Sequence, residues 1–130
     1  MLFTYEHRPL QKILVVDDEA VIRDMMVDIL DMEGYQVEVA RNGREALDIL
    51  NGEQAYLVFL DLMMPVLDGR QVCLQLATEP ENRQRHVLVV MSALDQLSQT
   101  APLQIDAMMP KPFVVDDVMR IIDTYMPAPV

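Results

Sequence analysis

The chain has 130 residues, of which 52% are apolar and 24% are charged. This length is typical of a single domain with one hydrophobic core, and this composition excludes an intrinsically disordered chain. The apolar runs are far shorter than the roughly 20 residues of a membrane-spanning helix, and the first residues lack the pattern of a secretory signal. We therefore expect a soluble, globular, cytoplasmic protein.

Acidic residues outnumber basic residues by 21 to 10, which gives a formal net charge of −11. Nucleic-acid binding normally depends on a basic face, and the sequence has no cluster of Lys or Arg that could build one. We expect neither a nucleic acid nor a membrane as partner. The single cysteine, Cys73, cannot form an internal disulfide, and with His7 and His86 it offers too few ligands for zinc. Cys73 is predicted to be buried as a small hydrophobic residue.

Short apolar runs alternate along the chain with stretches of helical periodicity, the pattern of βαβ units that build a parallel sheet. The first, third and fourth runs are continuously apolar, as in strands covered on both faces. The second run alternates, as in an edge strand. The predicted strands cover residues 13–16, 36–40, 57–60, 87–91 and 105–109.

Apolar residues recur at helical spacing after the first strand, and Gly34 then supplies a stop. The apolar stripe of this helix is formed by Val21, Ile22, Met25, Met26, Ile29 and Leu30. Further helices are predicted over residues 43–50, 69–77 and 114–126. The stretch 94–102 makes a poor helix because Ser, Thr and Pro crowd its second half.

Parallel strands joined by right-handed crossovers predict an α/β fold of three layers, a flavodoxin-like, doubly wound sheet with strand order 2-1-3-4-5. Ligands bind such sheets at the carboxyl ends of the strands, near the point where the strand order reverses. Functional residues are therefore expected at or directly after the strand ends.

Carboxylates follow two strands that are neighbours in this topology. Asp17, Asp18 and Glu19 come directly after the first strand, and Asp61 comes directly after the third. Like charges this close repel one another unless a cation or a proton lies among them. Oxygen ligands without Cys or His favour Mg²⁺, so the sequence predicts a magnesium site. In the alternative interpretation, Asp17 and Asp18 only cap the first helix, although capping needs a single acid.

A hydroxyl and an ammonium group complete the ring of strand ends. Ser92 closes the fourth strand, and Lys111 follows the fifth in the run MMPKPF. Taken alone, a Ser here is commonly a turn residue and a Lys is commonly a solvated charge. A charge in this apolar setting is poorly placed without a partner, and the carboxylates supply one. The sequence also allows a cis bond between Lys111 and Pro112 that would aim the ammonium inward.

Four motifs occur in the order and near the spacing of one known family. They are LVVDDE after the first strand, FLDLMMPVLDG around the third, VMSA at the fourth and KPF at the fifth. Together they resemble the receiver domain of two-component response regulators. The resemblance implies an N-terminal extension over residues 1–11, a receiver domain over 12–126 and a C-terminal tail over 127–130.

The resemblance implies that Asp61 is the phosphoacceptor, which attacks the phosphohistidine of a sensor histidine kinase or a histidine phosphotransfer protein. It also implies a bound Mg²⁺ or Mn²⁺ ion. Asp18 would bind the ion directly and Asp17 through water, with Asp61 and the backbone carbonyl of Met63 as the remaining protein ligands.

The same resemblance implies that Lys111 holds one phosphoryl oxygen and that the Ser92 hydroxyl donates to another, which would switch a face that binds a downstream output protein or domain. In-line phosphoryl transfer needs positioning and charge neutralisation, and these groups offer both. The chain would then be a signalling receiver and not an enzyme, since it would catalyse only its own phosphoryl transfer and slow autodephosphorylation.

Two features depart from the family pattern. Met108 stands three residues before Lys111, where the family usually has an aromatic residue. The stretch between Ser92 and Lys111 is a few residues shorter than usual and contains Pro102. Both departures concern the output face and leave the phosphorylation chemistry intact.

Three other functions compete with that of a phosphorylated receiver. A haloacid-dehalogenase-type phosphatase places its nucleophile after the first strand in a D-x-D pattern, whereas the acids here are adjacent. A flavodoxin cradles phosphate in a loop rich in Ser, Thr and Gly, and the DDE sequence would repel that phosphate. A receiver-fold docking module that works without phosphorylation remains the main alternative.

Overall fold

The computed structural model describes residues 10, 12–93, 100 and 103–126. Its five strands are β1 (Lys12–Val16), β2 (Gln36–Ala40), β3 (Tyr56–Asp61), β4 (Val87–Ala93) and β5 (Ala107–Lys111). Its helices are α1 (Ala20–Met32), α2 (Gly43–Leu50), α3 (Gly69–Ala77), α4 (Pro80–Arg85) and α5 (Val115–Tyr125). The strands form one parallel sheet in the order β2-β1-β3-β4-β5, which confirms the predicted flavodoxin-like fold.

The sheet is covered on both faces. All six residues of β3 are buried, and Val58 and Leu60 belong to the apolar cluster that includes residues of α2 and α3. Leu57 and Phe59 belong to the opposite cluster, which includes residues of α1 and α5. A central parallel strand buried on both faces needs apolar side chains throughout, which is why this strand is predictable from its continuous apolar run.

Two expectations from composition and pattern are confirmed. β2 lies at the edge of the sheet, and its Val39 side chain is 44% exposed. Cys73 lies in α3 and is buried with a free thiol. Among the described residues, no helix has the length and the apolar character needed to cross a membrane.

The fifth strand begins at Ala107 and ends at Lys111, two residues later than predicted at both ends, so Lys111 is its last residue and does not follow it. The Asp106 carboxylate accepts a hydrogen bond from the Leu88 amide at 2.8 Å and pairs with Arg83 at 3.0 Å. The side chain of Asp106 thus takes the place of a backbone partner at the start of β4. Regular pairing begins only at Ala107, opposite Val89.

The helices differ from the predictions in two respects. The short helix α4 was not predicted, although Pro80 at its start and arginines in its last turn are typical helix signals. In α1, Met26 and Leu30 are buried, but Val21 is 77% exposed and Met25 is 38% exposed, so the apolar stripe is only partly covered.

Several predicted segments cannot be compared with the structure. The predicted poor helix over residues 94–102 lies outside the described residues except for Thr100. The predicted N-terminal extension lies outside them except for Leu10, and the tail over 127–130 lies outside them entirely.

Candidate functional site

The end of β1 is fixed by hydrogen bonds at Asp17. Its amide donates to the Ala40 carbonyl of the neighbouring strand at 3.2 Å. Its carboxylate oxygen Oδ1 accepts from the Glu19 amide at 3.0 Å, and its carbonyl oxygen accepts from Arg23 Nη1 at 2.8 Å. The Asp17 side chain is fully buried, whereas Asp18 is exposed. The turn therefore presents one carboxylate to the interior and one to solvent.

Asp61 is the last residue of β3 and is 5% exposed. The Met63 amide donates to Asp61 Oδ1 at 3.4 Å, and the following helix, α3, begins at Gly69. The Gly69 amide donates to Leu62 O at 3.0 Å, and a Cβ atom at Gly69 would overlap the Asp61 carbonyl oxygen. A glycine at this position therefore allows α3 to pack against the strand end that carries Asp61.

Three carboxylates meet where these strand ends adjoin. Asp17, Asp18 and Asp61 each offer one oxygen atom, and these oxygens lie within 4.8 Å of one another. This is the convergence that the topology predicts, because β1 and β3 are hydrogen-bonded neighbours. The group contains only oxygen donors, which are the ligands preferred by Mg²⁺.

Lys111 joins the acids from β5. Its Nζ lies 2.8 Å from Asp17 Oδ2, 3.3 Å from Asp61 Oδ1 and 4.0 Å from Glu19 Oε1. The ammonium group therefore has the carboxylate partners that its apolar sequence context requires. The Lys111–Pro112 peptide bond is cis, as the sequence allowed.

Burial and charge shift the pKa values of two of these groups. Burial, and then the negative charge of Asp17, raise the pKa of Asp61 to about 6, against the opposing effects of Lys111 and the Met63 amide. Burial lowers the pKa of Lys111, but its hydrogen bond to Asp17 and the charges of both acids outweigh burial and raise that pKa above its ordinary value. Lys111 is thus a charged ammonium at neutral pH.

Ser92 lies one residue beyond Met91, which pairs with Asp61 in the sheet. Its side chain is buried, and its hydroxyl donates to the Ala93 carbonyl at 3.1 Å. The structure thus places Ser92 on the neighbouring strand end with its hydroxyl turned to its own backbone. The acid cluster itself is contacted by Lys111 and by the amides of Glu19 and Met63.

The capping interpretation of Asp17 and Asp18 does not describe this structure. The residue at the N-cap of α1 is Glu19, and it makes no side-chain capping hydrogen bond. The Asp17 carboxylate accepts from the amide of Glu19 itself, one residue before the helix.

One contact of the site was not predicted from the sequence. Arg23 lies near the amino end of α1 and reaches back to the Asp17 carbonyl. A backbone oxygen leaves no signal in a sequence, so a search for side-chain motifs misses this contact. The signal in the sequence is the position of Arg23, a cation near the positive end of a helix dipole, where acidic residues are favoured.

Comparison with known proteins connects this site to one family. The family model of the response regulator receiver domain matches residues 13–123. Sporulation initiation phosphotransferase F of Bacillus subtilis is 32% identical over 117 residues, which cover 90% of this chain and 94% of that protein. Response regulator MprA of Mycolicibacterium vanbaalenii is 36% identical over 108 residues, which cover 83% of this chain. The chain spans only 47% of the length of MprA.

Solved structures resemble the whole described fold. Response regulator protein TrrA from Thermotoga maritima, described in complex with Mg²⁺ and BeF, has a TM-score of 0.77 and 28% identity, with 90% of this chain and 100% of that chain covered. The receiver domain of a signal transduction histidine kinase from Syntrophus aciditrophicus has a TM-score of 0.82 and 26% identity, with 89% of each chain covered.

Proposed function

Because this chain belongs to the response regulator receiver domain family, we propose that Asp61 accepts a phosphoryl group from a sensor histidine kinase or a histidine phosphotransfer protein. The observation that carries the proposal is the convergence of three carboxylates within 4.8 Å, with the Lys111 ammonium beside two of them. Such a site supplies the positioning and charge neutralisation on which phosphoryl transfer depends.

The residues of the site fit a divalent cation with oxygen ligands, Mg²⁺ or Mn²⁺. Asp18 and Asp61 would bind the ion directly and Asp17 through water, with the Met63 carbonyl as a further ligand. When bound, the ion neutralises negative charge on the phosphoryl oxygens. The similarity to TrrA, a structure described with Mg²⁺ and BeF, supports this assignment.

In the proposed reaction, an Asp61 carboxylate oxygen forms a bond to phosphorus as the bond from phosphorus to the donor histidine nitrogen breaks. Lys111 exchanges part of its contact with the carboxylates for a phosphoryl oxygen. The Ser92 hydroxyl turns from the Ala93 carbonyl to another phosphoryl oxygen, and this rearrangement alters the adjoining protein-binding face. The receiver remains a signalling module rather than an enzyme acting on a separate substrate.

A groove beside the site favours a protein as the phosphoryl donor. It has a volume of about 420 Å³ and is lined by Glu19, Ile22, Met25, Lys111, Pro112 and Phe113. Most of these side chains are apolar, although the groove adjoins an acidic cluster. An apolar surface next to a phosphorylation site fits a docked protein better than a small, charged phosphodonor.

Phosphorylation by acetyl phosphate tests the proposal. With millimolar Mg²⁺, intact-mass measurement should show one added phosphoryl group on the wild type and on Asp31→Asn, a control at an exposed acid at the far end of α1. Asp61→Asn, and the wild type in excess chelator, should show none. If the wild type incorporates nothing from several small donors or from a histidine phosphotransfer protein, the docking module that works without phosphorylation is the better account.

A further inference from the structure

We propose that Arg23 is a positioning residue for the metal site, because it fixes the peptide that carries Asp17 and Asp18. This inference rests on the proposed function of the acid cluster. Arg23 Nη1 donates to the Asp17 carbonyl at 2.8 Å, and the Arg23 amide donates to the Glu19 carbonyl at 3.1 Å. The side chain thus spans the first turn of α1 and returns to the end of β1.

The contact completes a set of hydrogen bonds around one residue. The Asp17 amide is held by Ala40, its two carboxylate oxygens by Glu19 and Lys111, and its carbonyl by Arg23. The carbonyl of Asp17 belongs to the same peptide group as the amide of Asp18. A fixed Asp17 carbonyl therefore limits rotation of the peptide that orients the exposed Asp18 carboxylate.

The helix dipole does not favour a cation at the position of Arg23. A cation near the amino end of a helix opposes the dipole, and the first turn of α1 has no acidic residue, although Glu19 at the N-cap lies one turn before Arg23 and Glu45 interacts with it electrostatically. Arg23 is half-buried, and its side chain is hydrogen-bonded to the Asp17 carbonyl. A residue that violates a local rule while contacting a candidate site is best explained by that site.

Positioning and simple electrostatics predict opposite results when Arg23 is replaced. A positive charge beside a cation site repels the cation, so removal of that charge alone would tighten metal binding. Loss of a group that orients a ligand weakens metal binding, commonly by about 10-fold or more. The sign of the change therefore distinguishes the two roles.

The test measures Mn²⁺ affinity by electron paramagnetic resonance in the full chain. Arg23→Gln should bind Mn²⁺ about 10-fold more weakly than the wild type, whereas Arg23→Lys should recover most of that loss because an ammonium can still donate to the Asp17 carbonyl. Arg120→Gln, on the exposed side of α5, removes the same charge elsewhere and should bind as the wild type does. Equal or tighter binding by Arg23→Gln overturns the inference.

Amide hydrogen exchange in the metal-free protein gives a second readout. The Glu19 amide, which donates to Asp17 Oδ1, should exchange about 10-fold faster in Arg23→Gln and near the wild-type rate in Arg23→Lys. Unchanged exchange in Arg23→Gln also overturns the inference. If the wild type binds no Mn²⁺, the proposed metal site fails, whereas the exchange rates still decide whether Arg23 fixes this turn.

Discussion

Val66 shows how a single residue shapes the loop after Asp61. It has a φ of 71° although it is β-branched and 77% exposed. This conformation lets the Leu67 amide donate to the Pro65 carbonyl at 2.9 Å, and Leu67 O then accepts from the Gly43 amide at 2.9 Å. This hydrogen bond holds the loop against the start of α2. The positive φ of Val66 costs about 1–3 kcal/mol of backbone strain.

Replacement of Val66 by Asn should therefore stabilise the protein by about 1 kcal/mol, because Asn adopts a positive φ more readily than a β-branched residue does. Val21→Asn is the matched control, since Val21 is also 77% exposed but lies in α1, where Val and Asn have similar propensities. Urea denaturation measures both changes. A Val66→Asn variant no more stable than Val21→Asn would contradict the strain argument.

The resemblance to receivers implies that the side chain two residues after the phosphoacceptor, here Met63, flanks the path of the water that hydrolyses the phosphoryl group. The Met63 amide contacts Asp61, and the Met63 side chain is 52% exposed. A thioether is a weak acceptor and cannot orient a hydrolytic water. Met63→Asn should therefore shorten the phosphoryl lifetime by about 10-fold, because an amide can position that water.

The control for this prediction is Met32→Asn at the far end of α1, where the side chain is 85% exposed. The resemblance to receivers implies the same role for Leu94, two residues after Ser92, which lies outside the described residues. Decay of the phosphorylated species, followed by mass measurement, should be unchanged in Met32→Asn. Wild-type lifetimes in both Met63→Asn and Leu94→Asn would disprove this account.

His86, directly before β4, connects this strand to β3 and to the end of α2 at the amino end of the sheet. It is 3% exposed, its Nδ1 accepts from the Tyr56 amide at 3.2 Å, and its Nε2 lies 3.1 Å from the Leu50 carbonyl. These partners require a neutral ring with the proton on Nε2. Burial, opposed by the Leu50 carbonyl and aided by the charges of Arg85 and Arg83, lowers the pKa of His86 to about 4.

This shift predicts how the stabilising effect of His86 depends on pH. The ordinary pKa of His is 6.5, so between pH 6.5 and 4 the unfolded chain takes up a proton that the folded chain does not. The stability contributed by His86 is therefore present above pH 6.5 and is lost as the pH falls. The advantage of the wild type over His86→Gln should shrink by about 2 kcal/mol between pH 7 and pH 5.

Urea denaturation of both proteins at the two pH values measures this difference. The comparison between variants matters because Asp61 acts in the opposite direction, since its pKa of about 6 favours proton uptake by the folded state below that pH. The effect of Asp61 is shared by both proteins and cancels in the difference. A constant advantage of the wild type across this range would contradict the neutral, buried ring.

Met108 lies in β5, where the family usually has an aromatic residue. Its side chain is 38% exposed, and its sulfur accepts a hydrogen bond from the Thr100 hydroxyl at 3.4 Å. A flexible thioether fits two arrangements almost equally well, so it distinguishes them less than a rigid ring does. Because coupling depends on a difference between two states, we expect weak coupling from Asp61 to this face.

Beryllofluoride should therefore shift the NMR signals around Ser92 strongly and those of residues 103–109 and α5 less. In Met108→Tyr, the shifts across residues 103–109 and α5 should grow. If large shifts of equal size appear across this face in both proteins, Met108 does not limit the coupling and only fills space in β5.

At the scale of the whole molecule, the sheet separates two charged networks. Its carboxyl end carries the carboxylates and Lys111, and its amino end carries Arg83, which binds the carbonyls of His86 and Gln104 as well as the Asp106 carboxylate. Charged side chains thus have different roles at the two ends of the sheet. At the carboxyl end, the carboxylates lie close to one another. At the amino end, Arg83 donates hydrogen bonds to the segments that precede β4 and β5.

The predictable parts of the molecule are those set by patterns along the chain. Strands β1, β3 and β4 follow from continuous apolar runs, and the meeting of Asp17 with Lys111, 94 residues apart, follows from strand-end topology. The start of β5 and the contact of Arg23 with a carbonyl could not be predicted. Both depend on which backbone groups lie nearby in the folded chain, and neither Asp106 nor Arg23 signals its partner in the sequence.

The three neighbouring acids have different proposed roles, with Asp61 as the nucleophile. Borohydride reduces an aspartyl phosphate to homoserine, so peptide mapping of the reduced protein locates the modified residue. After reaction with acetyl phosphate and Mg²⁺, we expect homoserine at residue 61 and unmodified Asp17 and Asp18. Homoserine at residue 17 or 18, or at none of the three, would contradict this assignment of roles.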